Sequence, residues 1–231
     1  WFATWNGLSY YDGYSFHTFR DEPDGVSVLS TNRILNIQPT AANNVWCITQ
    51  DHKLYLYDTH LCQFLKTSNQ INEKFKVDFR ADNIYDINGG NTWVTSANAD
   101  YLLRTNDTDV LDFELIHVGQ KGLKSGKVYF IYGDKKHREW ILTDKGTTIY
   151  GKKFSTNVPY KWIREVGEYV FLATENGKVI VVDEKNRATN VPLPEGITHI
   201  NELKNTGYQL LLATNLGVVI YNPRTFKSEI I

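Results

Sequence analysis

Apolar residues along the chain come in short runs that alternate with polar ones or are continuously apolar, and clusters of Gly, Asn, Asp and Lys separate the runs. Alternation puts side chains on the two faces of a strand. No 3.6-residue period persists, so the pattern predicts strands throughout and no sustained helix. One run recurs. Trp1-Phe2-Ala3-Thr4-Trp5-Asn6-Gly7-Leu8 returns as Trp46-Cys47-Ile48-Thr49-Gln50-Asp51-His52 and as Trp140-Ile141-Leu142-Thr143-Asp144-Lys145-Gly146. Phe171-Leu172-Ala173-Thr174-Glu175-Asn176-Gly177 and Leu211-Leu212-Ala213-Thr214-Asn215-Leu216-Gly217 extend the series, with a weaker copy at Trp93-Val94-Thr95-Ser96. The Thr or Ser anchors stand at 4, 49, 96, 143, 174 and 214, at intervals of 45, 47, 47, 31 and 40 residues.

Three residues after the anchors come Gly7, His52, Ala99, Gly146, Gly177 and Gly217. A tight hairpin needs positive φ there, which glycine adopts cheaply, so the copies lacking glycine should carry a longer or altered turn. Leu54-Tyr55-Leu56-Tyr57 and Val179-Ile180-Val181-Val182 then read as second hairpin strands. Ile34-Leu35-Asn36-Ile37 and Trp162-Ile163-Arg164-Glu165-Val166 read as innermost strands, and Cys62-Gln63-Phe64-Leu65 as a fourth strand. Four such strands with short connections need about 40 residues. The expected fold is therefore all-β: a β-propeller of four-stranded antiparallel blades over 1–231, an incomplete fragment with about five full blades and a partial first one. Leucine-rich and hexapeptide repeats are too short for this period, and helical repeats would show a 3.6 spacing. A chain that starts at Trp1 inside a strand and has no methionine reads as a piece of something longer.

Charge removes some functions. The 25 basic and 26 acidic residues are mixed along the chain and sum to −1, which leaves no footprint for a polyanion, so nucleic acid is not an expected partner. No apolar stretch approaches the ~18 residues needed to span a bilayer, so this segment is not expected to be membrane-embedded. Cys47 and Cys62 are expected on strands separated by one other. At normal strand spacing that is about 9–10 Å, too far for a disulfide, which predicts two unpaired thiols.

The stretch from Trp1 to Phe16, with Asn6-Gly7-Leu8-Ser9-Tyr10-Tyr11-Asp12-Gly13 at its centre, followed by Thr31-Asn32-Arg33-Ile34-Leu35-Asn36-Ile37, resembles the two-component regulator propeller repeat. The resemblance runs the length of the chain and is strongest at 1–58 and 140–222. Copy three departs from the pattern with Ser96 and Ala99, and copies five and six replace the tryptophan with Phe171 and Leu211. The resemblance implies the periplasmic sensor region of a hybrid two-component histidine kinase of gut bacteria. Such sensors carry fourteen repeats in two propellers, then a further β domain, a membrane span and a kinase, and they govern carbohydrate-utilisation genes. It thus implies a parent that is membrane-anchored, with a homodimer among the arrangements it allows.

Little in the chain suggests catalysis. The histidines at 17, 52, 60, 117, 137 and 199 have no spacing that would place two on one metal. The run Asn106-Asp107-Thr108-Asp109-Val110-Leu111-Asp112 has Leu111 where a calcium loop needs glycine. Asp21-Glu22-Pro23-Asp24-Gly25 reads as an exposed turn. Gly119 to Gly126, with Lys121, Lys124 and Lys127, fits neither phosphate-binding fingerprint and reads as a flexible loop. No catalytic residue, metal or cofactor is expected, and the repeat residues themselves are expected to be structural, the tryptophan packing between blades and the threonine bonding within its turn. Binding remains, of a small molecule or an oligosaccharide, through aromatic faces and planar hydrogen-bonding groups. The turn after the Trp-x-x-Thr strand and the link entering the next innermost strand share one face. Trp5, Asn6, Arg33, Asp51, His52, Asp144, Tyr160, Trp162 and Glu175 are the ligand-binding candidates. A propeller enzyme of lyase or lactonase type and a protein-interaction scaffold are the alternatives.

Overall fold

The computed structural model describes residues 1–21, 29–40, 43–87, 90–106 and 109–231. Residues 22–25 of the acidic turn and 107–108 of the calcium-like loop lie outside them. The described chain forms six antiparallel sheets in two compact units, Trp1–Val118 and Gly119–Ile231.

In the first unit β1 (Phe2–Thr4), β2 (Gly7–Tyr11) and β3 (Phe16–Phe19) make a three-stranded sheet. The second sheet is β4 (Ile34–Pro39), β5 (Val45–Thr49), β6 (Leu54–Asp58) and β7 (Gln63–Leu65). After a helix, α1 (Thr67–Phe75), the third is β8 (Ala81–Ile87), β9 (Asn91–Ser96), β10 (Tyr101–Asn106) and β11 (Asp109–His117). In the second unit the fourth sheet is β12 (Val128–Gly133), β13 (Glu139–Thr143), β14 (Gly146–Ile149) and β15 (Ser155–Thr156). The fifth is β16 (Trp162–Val166), β17 (Tyr169–Ala173), β18 (Val179–Val182) and β19 (Ala188–Asn190). The sixth is β20 (Ile200–Asn205), β21 (Leu210–Thr214), β22 (Gly217–Asn222) and β23 (Lys227–Ile230). Every sheet is a meander in which sequence neighbours pair, as short polar turns between strands require. The expected partial first sheet and five full ones are all present.

Whether a strand is continuously apolar or alternating follows from what covers its faces. In β5 all five residues are buried. Trp46 and Ile48 pack with Val94 and Leu103 of the third sheet, while Cys47 on the other face packs with Leu8 of the first. The fifth sheet is covered in the same way, with Leu172 packed on Trp140 and Leu142 of the fourth, and Phe171 and Ala173 on Leu203 and Leu212 of the sixth. By contrast β21 alternates buried and half-buried positions. Trp46 and Trp140 therefore pack between sheets. Burying roughly 200 Å² of indole at about 25 cal/mol/Å² contributes up to about 5 kcal/mol, several times the net worth of a hydrogen bond. The tryptophan supplies energy and the threonine supplies geometry.

One expectation fails: α1 is a helix. Its polar sequence has only Ile71 and Phe75 as apolar residues, too few to register as a period, and Ile71 is fully buried in the core shared by the second and third sheets. Its start is tied to β6, because Thr67 Oγ1 donates to Leu54 O at 2.7 Å and Leu54 N donates to Ser68 Oγ at 2.7 Å. Cys62 falls just before β7, with β6 between it and Cys47, and both thiols are free. Burial pushes the Cys47 thiol up to about 12, which makes it an inert core residue.

Bulges interrupt four of the ladders between an innermost strand and its neighbour. Leu35, Asp82, Tyr129 and Asn201 are the extra residues at these bulges; the β16–β17 ladder is continuous. A bulge redirects the side chain of its extra residue.

Candidate functional site

In three repeats the turn is bonded to the segment entering the next innermost strand. Gly7 N donates to Asn32 O at 2.7 Å, Ala81 N to His52 O at 2.8 Å, and Ile200 N to Glu175 O at 2.8 Å. Each of these bonds sets a turn beside the link that follows it, the arrangement expected of the binding candidates.

In the first unit the structure brings Trp5 and Arg33 together. The indole is 79% exposed, the guanidinium carbon sits 4.8 Å from its centroid, and Arg33 Nη1 donates to Gln50 Oε1 at 3.1 Å. Asn6 is engaged elsewhere, its backbone oxygen accepting from Arg20 Nε. Asp51 and His52 are spent on the turn. Thr49 Oγ1 and Ser30 Oγ donate to Asp51 Oδ1 at 2.6 and 2.9 Å, and His52 Nδ1 lies 2.8 Å from Ala81 O. Burial pushes the Asp51 carboxyl up, but the two hydroxyls and Lys53 outweigh it and leave it below the usual carboxylate range.

In the second unit the four candidates separate. Tyr160 is 2% exposed among Trp140, Ile163 and Leu172, so its ring is a packing group. Trp162 is half-buried on the sixth-sheet core, with Lys161 Nζ 5.2 Å from its centroid. Asp144 presses its Oδ1 against Gly126, buried and without a hydrogen-bond partner. Glu175 alone reaches a cavity.

That cavity, about 510 Å³, lies between the bulged residue of β12, the 158–161 link and the turn after β17. Tyr129, Lys161, Glu175, Asn176 and Lys178 line it, with Val158 and Pro159 as its apolar wall. Tyr129 is the extra residue of the β12 bulge, and it is 45% exposed. Asn176 is oriented by Thr174 Oγ1, which donates to its Oδ1 at 2.5 Å and leaves the amide nitrogen as a donor. Glu175 pairs with Lys161, whose hydrogen bond holds the carboxyl below its usual range. The pair cancels, so Lys178 sets the sign of the site. An aromatic face, an amide, a cation and an acceptor around an open cavity suit a polyhydroxylated ring better than an apolar molecule. Sequence reasoning missed Tyr129, Asn176 and Lys178. For Lys178 a signal existed, since it follows the turn glycine directly and its N–H bonds the Thr174 anchor at 3.1 Å. The bulge at Tyr129 left none.

No protein-family model and no curated protein matches the sequence. Solved structures do match in fold. The extracellular domain of a hybrid two component system of B. thetaiotaomicron shares 17% identity over 92% of this chain and 30% of its own, with a TM-score of 0.58. A second such domain from the same organism shares 15% over 100% of this chain and 34% of its own, with a TM-score of 0.57. Virginiamycin B lyase of Staphylococcus aureus shares 13% over 88% of this chain and 72% of its own, with a TM-score of 0.53. The chain thus spans about a third of the two extracellular domains. Its fold is of the β-propeller class, built from antiparallel blades, and that fold is common to extracellular domains of two component systems and to a lyase.

Proposed function

We propose that the chain is part of the ligand-sensing, periplasmic region of a two-component histidine kinase, acts without catalysis of its own, and takes an oligosaccharide in the cavity beside Tyr129. The observation that carries this reading is the cavity itself, which the Tyr129 ring, the Asn176 amide and the Lys178 ammonium line together. The resemblance at 1–16 and 31–37 and the fold held in common with extracellular domains support the setting. Sensing further requires that the ligand bind one signalling arrangement of the parent more tightly than another, since equal affinity shifts nothing.

Calorimetry of the full-length protein against a panel of oligosaccharides tests the reading. At least one glycan should give saturable heat, and Tyr129→Ala should weaken it about tenfold, the worth of one aromatic contact, with the thermal midpoint unchanged. A panel without heat, or a Tyr129→Ala protein that binds as the parent does, overturns it.

A further inference from the structure

The opposite end of the fourth and fifth sheets carries a second concavity, independent of the Tyr129 site. It measures about 520 Å³ and lies between the β14–β15 turn and the β18–β19 turn. Lys152, Lys153 and Ser155 come from the first, Lys185 and Asn186 from the second, and no carboxylate among the described residues lines it.

Two features set it apart from a chance group of surface lysines. The first is how the turns are closed. At the corresponding position after β2, β6, β18 and β22, a side chain that opens the turn caps its backbone. Asp12 accepts from Tyr14 N and Ser15 N, Asp58 from His60 N and Leu61 N, Asp183 from Lys185 N and Arg187 N, and Asn222 from Arg224 N. In the β18–β19 turn Asp183 also neutralises Arg187 at 2.7 Å. The β14–β15 turn has no such acid. It closes through Lys152 N to Ile149 O at 3.1 Å with Gly151 at φ +67°, which leaves Lys152 and Lys153 without a local counter-charge. Glu184, beside Lys185 in sequence, is held by Lys136 at 3.1 Å.

The second feature is Asn186, whose amide is oriented from below by a buried relay. Asp134, fully buried, accepts from Trp140 Nε1 at 2.8 Å and from Arg138 Nε at 2.5 Å. Arg138 Nη1 then donates to Asp183 O at 2.7 Å and to Asn186 Oδ1 at 2.9 Å. A guanidinium can only donate, so the Asn186 oxygen must face it and the NH₂ end is left for the groove. The lining therefore offers donors: three ammoniums, one amide and the Ser155 hydroxyl.

The geometry points to a tetrahedral oxyanion, a phosphate or sulfate ester, as the ligand of this groove. Three point-charge donors supplied by two turns suit an anion with oxygens in several directions, whereas a planar carboxylate is matched by the coplanar fork of arginine. The volume exceeds that of a bare ion, so the ester is carried on a larger group, either a soluble sugar or a lipid headgroup.

Titrating the full-length protein with glucosamine 6-sulfate, glucosamine 6-phosphate and glucosamine at equal ionic strength tests this, with phosphatidylglycerol vesicles as the lipid arm. The esters should bind at least tenfold more tightly than glucosamine. That margin should vanish in Lys152→Gln/Lys185→Gln and in Asn186→Asp, which keeps a partner for Arg138, and persist in Lys178→Gln at the other cavity. Vesicle binding that soluble esters compete away assigns the headgroup as the natural source. Equal binding of esters and glucosamine, an unchanged margin in the variants, or vesicle binding that esters cannot compete overturns the proposal. A failed glycan panel at the Tyr129 cavity leaves it standing.

Discussion

The hairpins after Thr4, Thr143 and Thr214 and those after Thr49, Ser96 and Thr174 begin alike and close differently. In the first set the anchor hydroxyl donates to the carbonyl of the glycine three residues on, at 2.6, 3.0 and 2.9 Å, and anchor and glycine pair across the ladder. Those glycines sit at φ +114°, +151° and +114°, where a side chain is strained. In the second set the hydroxyl donates to a side-chain oxygen of the turn, of Asp51, Asp100 or Asn176, at 2.6, 2.7 and 2.5 Å. The residue three positions on is then His52, Ala99 or Gly177, at φ 64°, 57° and 84°. One anchor thus supports two turns. The choice depends on whether a carboxylate or amide is in reach to take the proton that the glycine carbonyl otherwise receives. His52 and Ala99 carry the altered turn expected of copies without glycine. Gly177 shows that glycine alone does not select the tight form.

The comparison breaks most severely at Gly146. A methyl group there would stand 2.1 Å from Thr156 O, the backbone of the neighbouring strand, besides forcing a side chain into φ +151°. Gly146→Ala should cost about 3 kcal/mol or more, the sum of backbone strain and a displaced β15. Chemical denaturation monitored on the second unit reads this directly, and a loss under 1 kcal/mol would mean that the tight turn does not need its glycine. A smaller effect separates the classes by pH. The Asp51 carboxyl is held below its unfolded value, so its contribution is present above about pH 4 and lost as pH falls through the depressed folded value. Asp51→Asn should keep the turn, since Asn176 serves the equivalent turn, but flatten the decline in thermal midpoint below about pH 4. Asp12, also held low by the Ser15 and Tyr14 amides, keeps titrating in both proteins, so the difference between them reports Asp51. Parallel acid profiles would show that the Thr49–Asp51 bond does not respond to charge.

The strands were legible because their signals are local. The run from Leu54 to Tyr57 follows its turn as an apolar one, and Val45 to Ile48 is continuously apolar because sheets cover both faces of that strand. What escaped depends on distant partners. α1 is held by Thr67 and Ser68 bonding to the backbone of Leu54, contacts that no nearby residue announces. The bulge at Tyr129 shifts the alternation by one residue inside a run already rich in aromatics, so no break in pattern marks it. Of the nine candidate site residues, Trp5 and Arg33 meet and Glu175 lines a cavity, because turn and link share an end of the sheets. Tyr160 carries the same aromatic signal as an exposed residue, and only packing on Trp140 shows that it is core.

The finest cut is at Ala99. Its φ of 57° lies in the left-handed region, where an L-residue pays about 1 kcal/mol relative to glycine. Ala99→Gly relieves that cost, but glycine also gains freedom in the unfolded chain, worth about 0.4–1 kcal/mol in the opposite direction. The net should fall between no change and a gain of about 0.5 kcal/mol. His52 would be a poorer probe, since removing its ring also removes the contact with Ala81 O. If Ala99→Gly instead loses more than 1 kcal/mol, the methyl group makes a contact that outweighs its backbone strain. The two turn classes would then differ in packing as well as in where the anchor sends its proton.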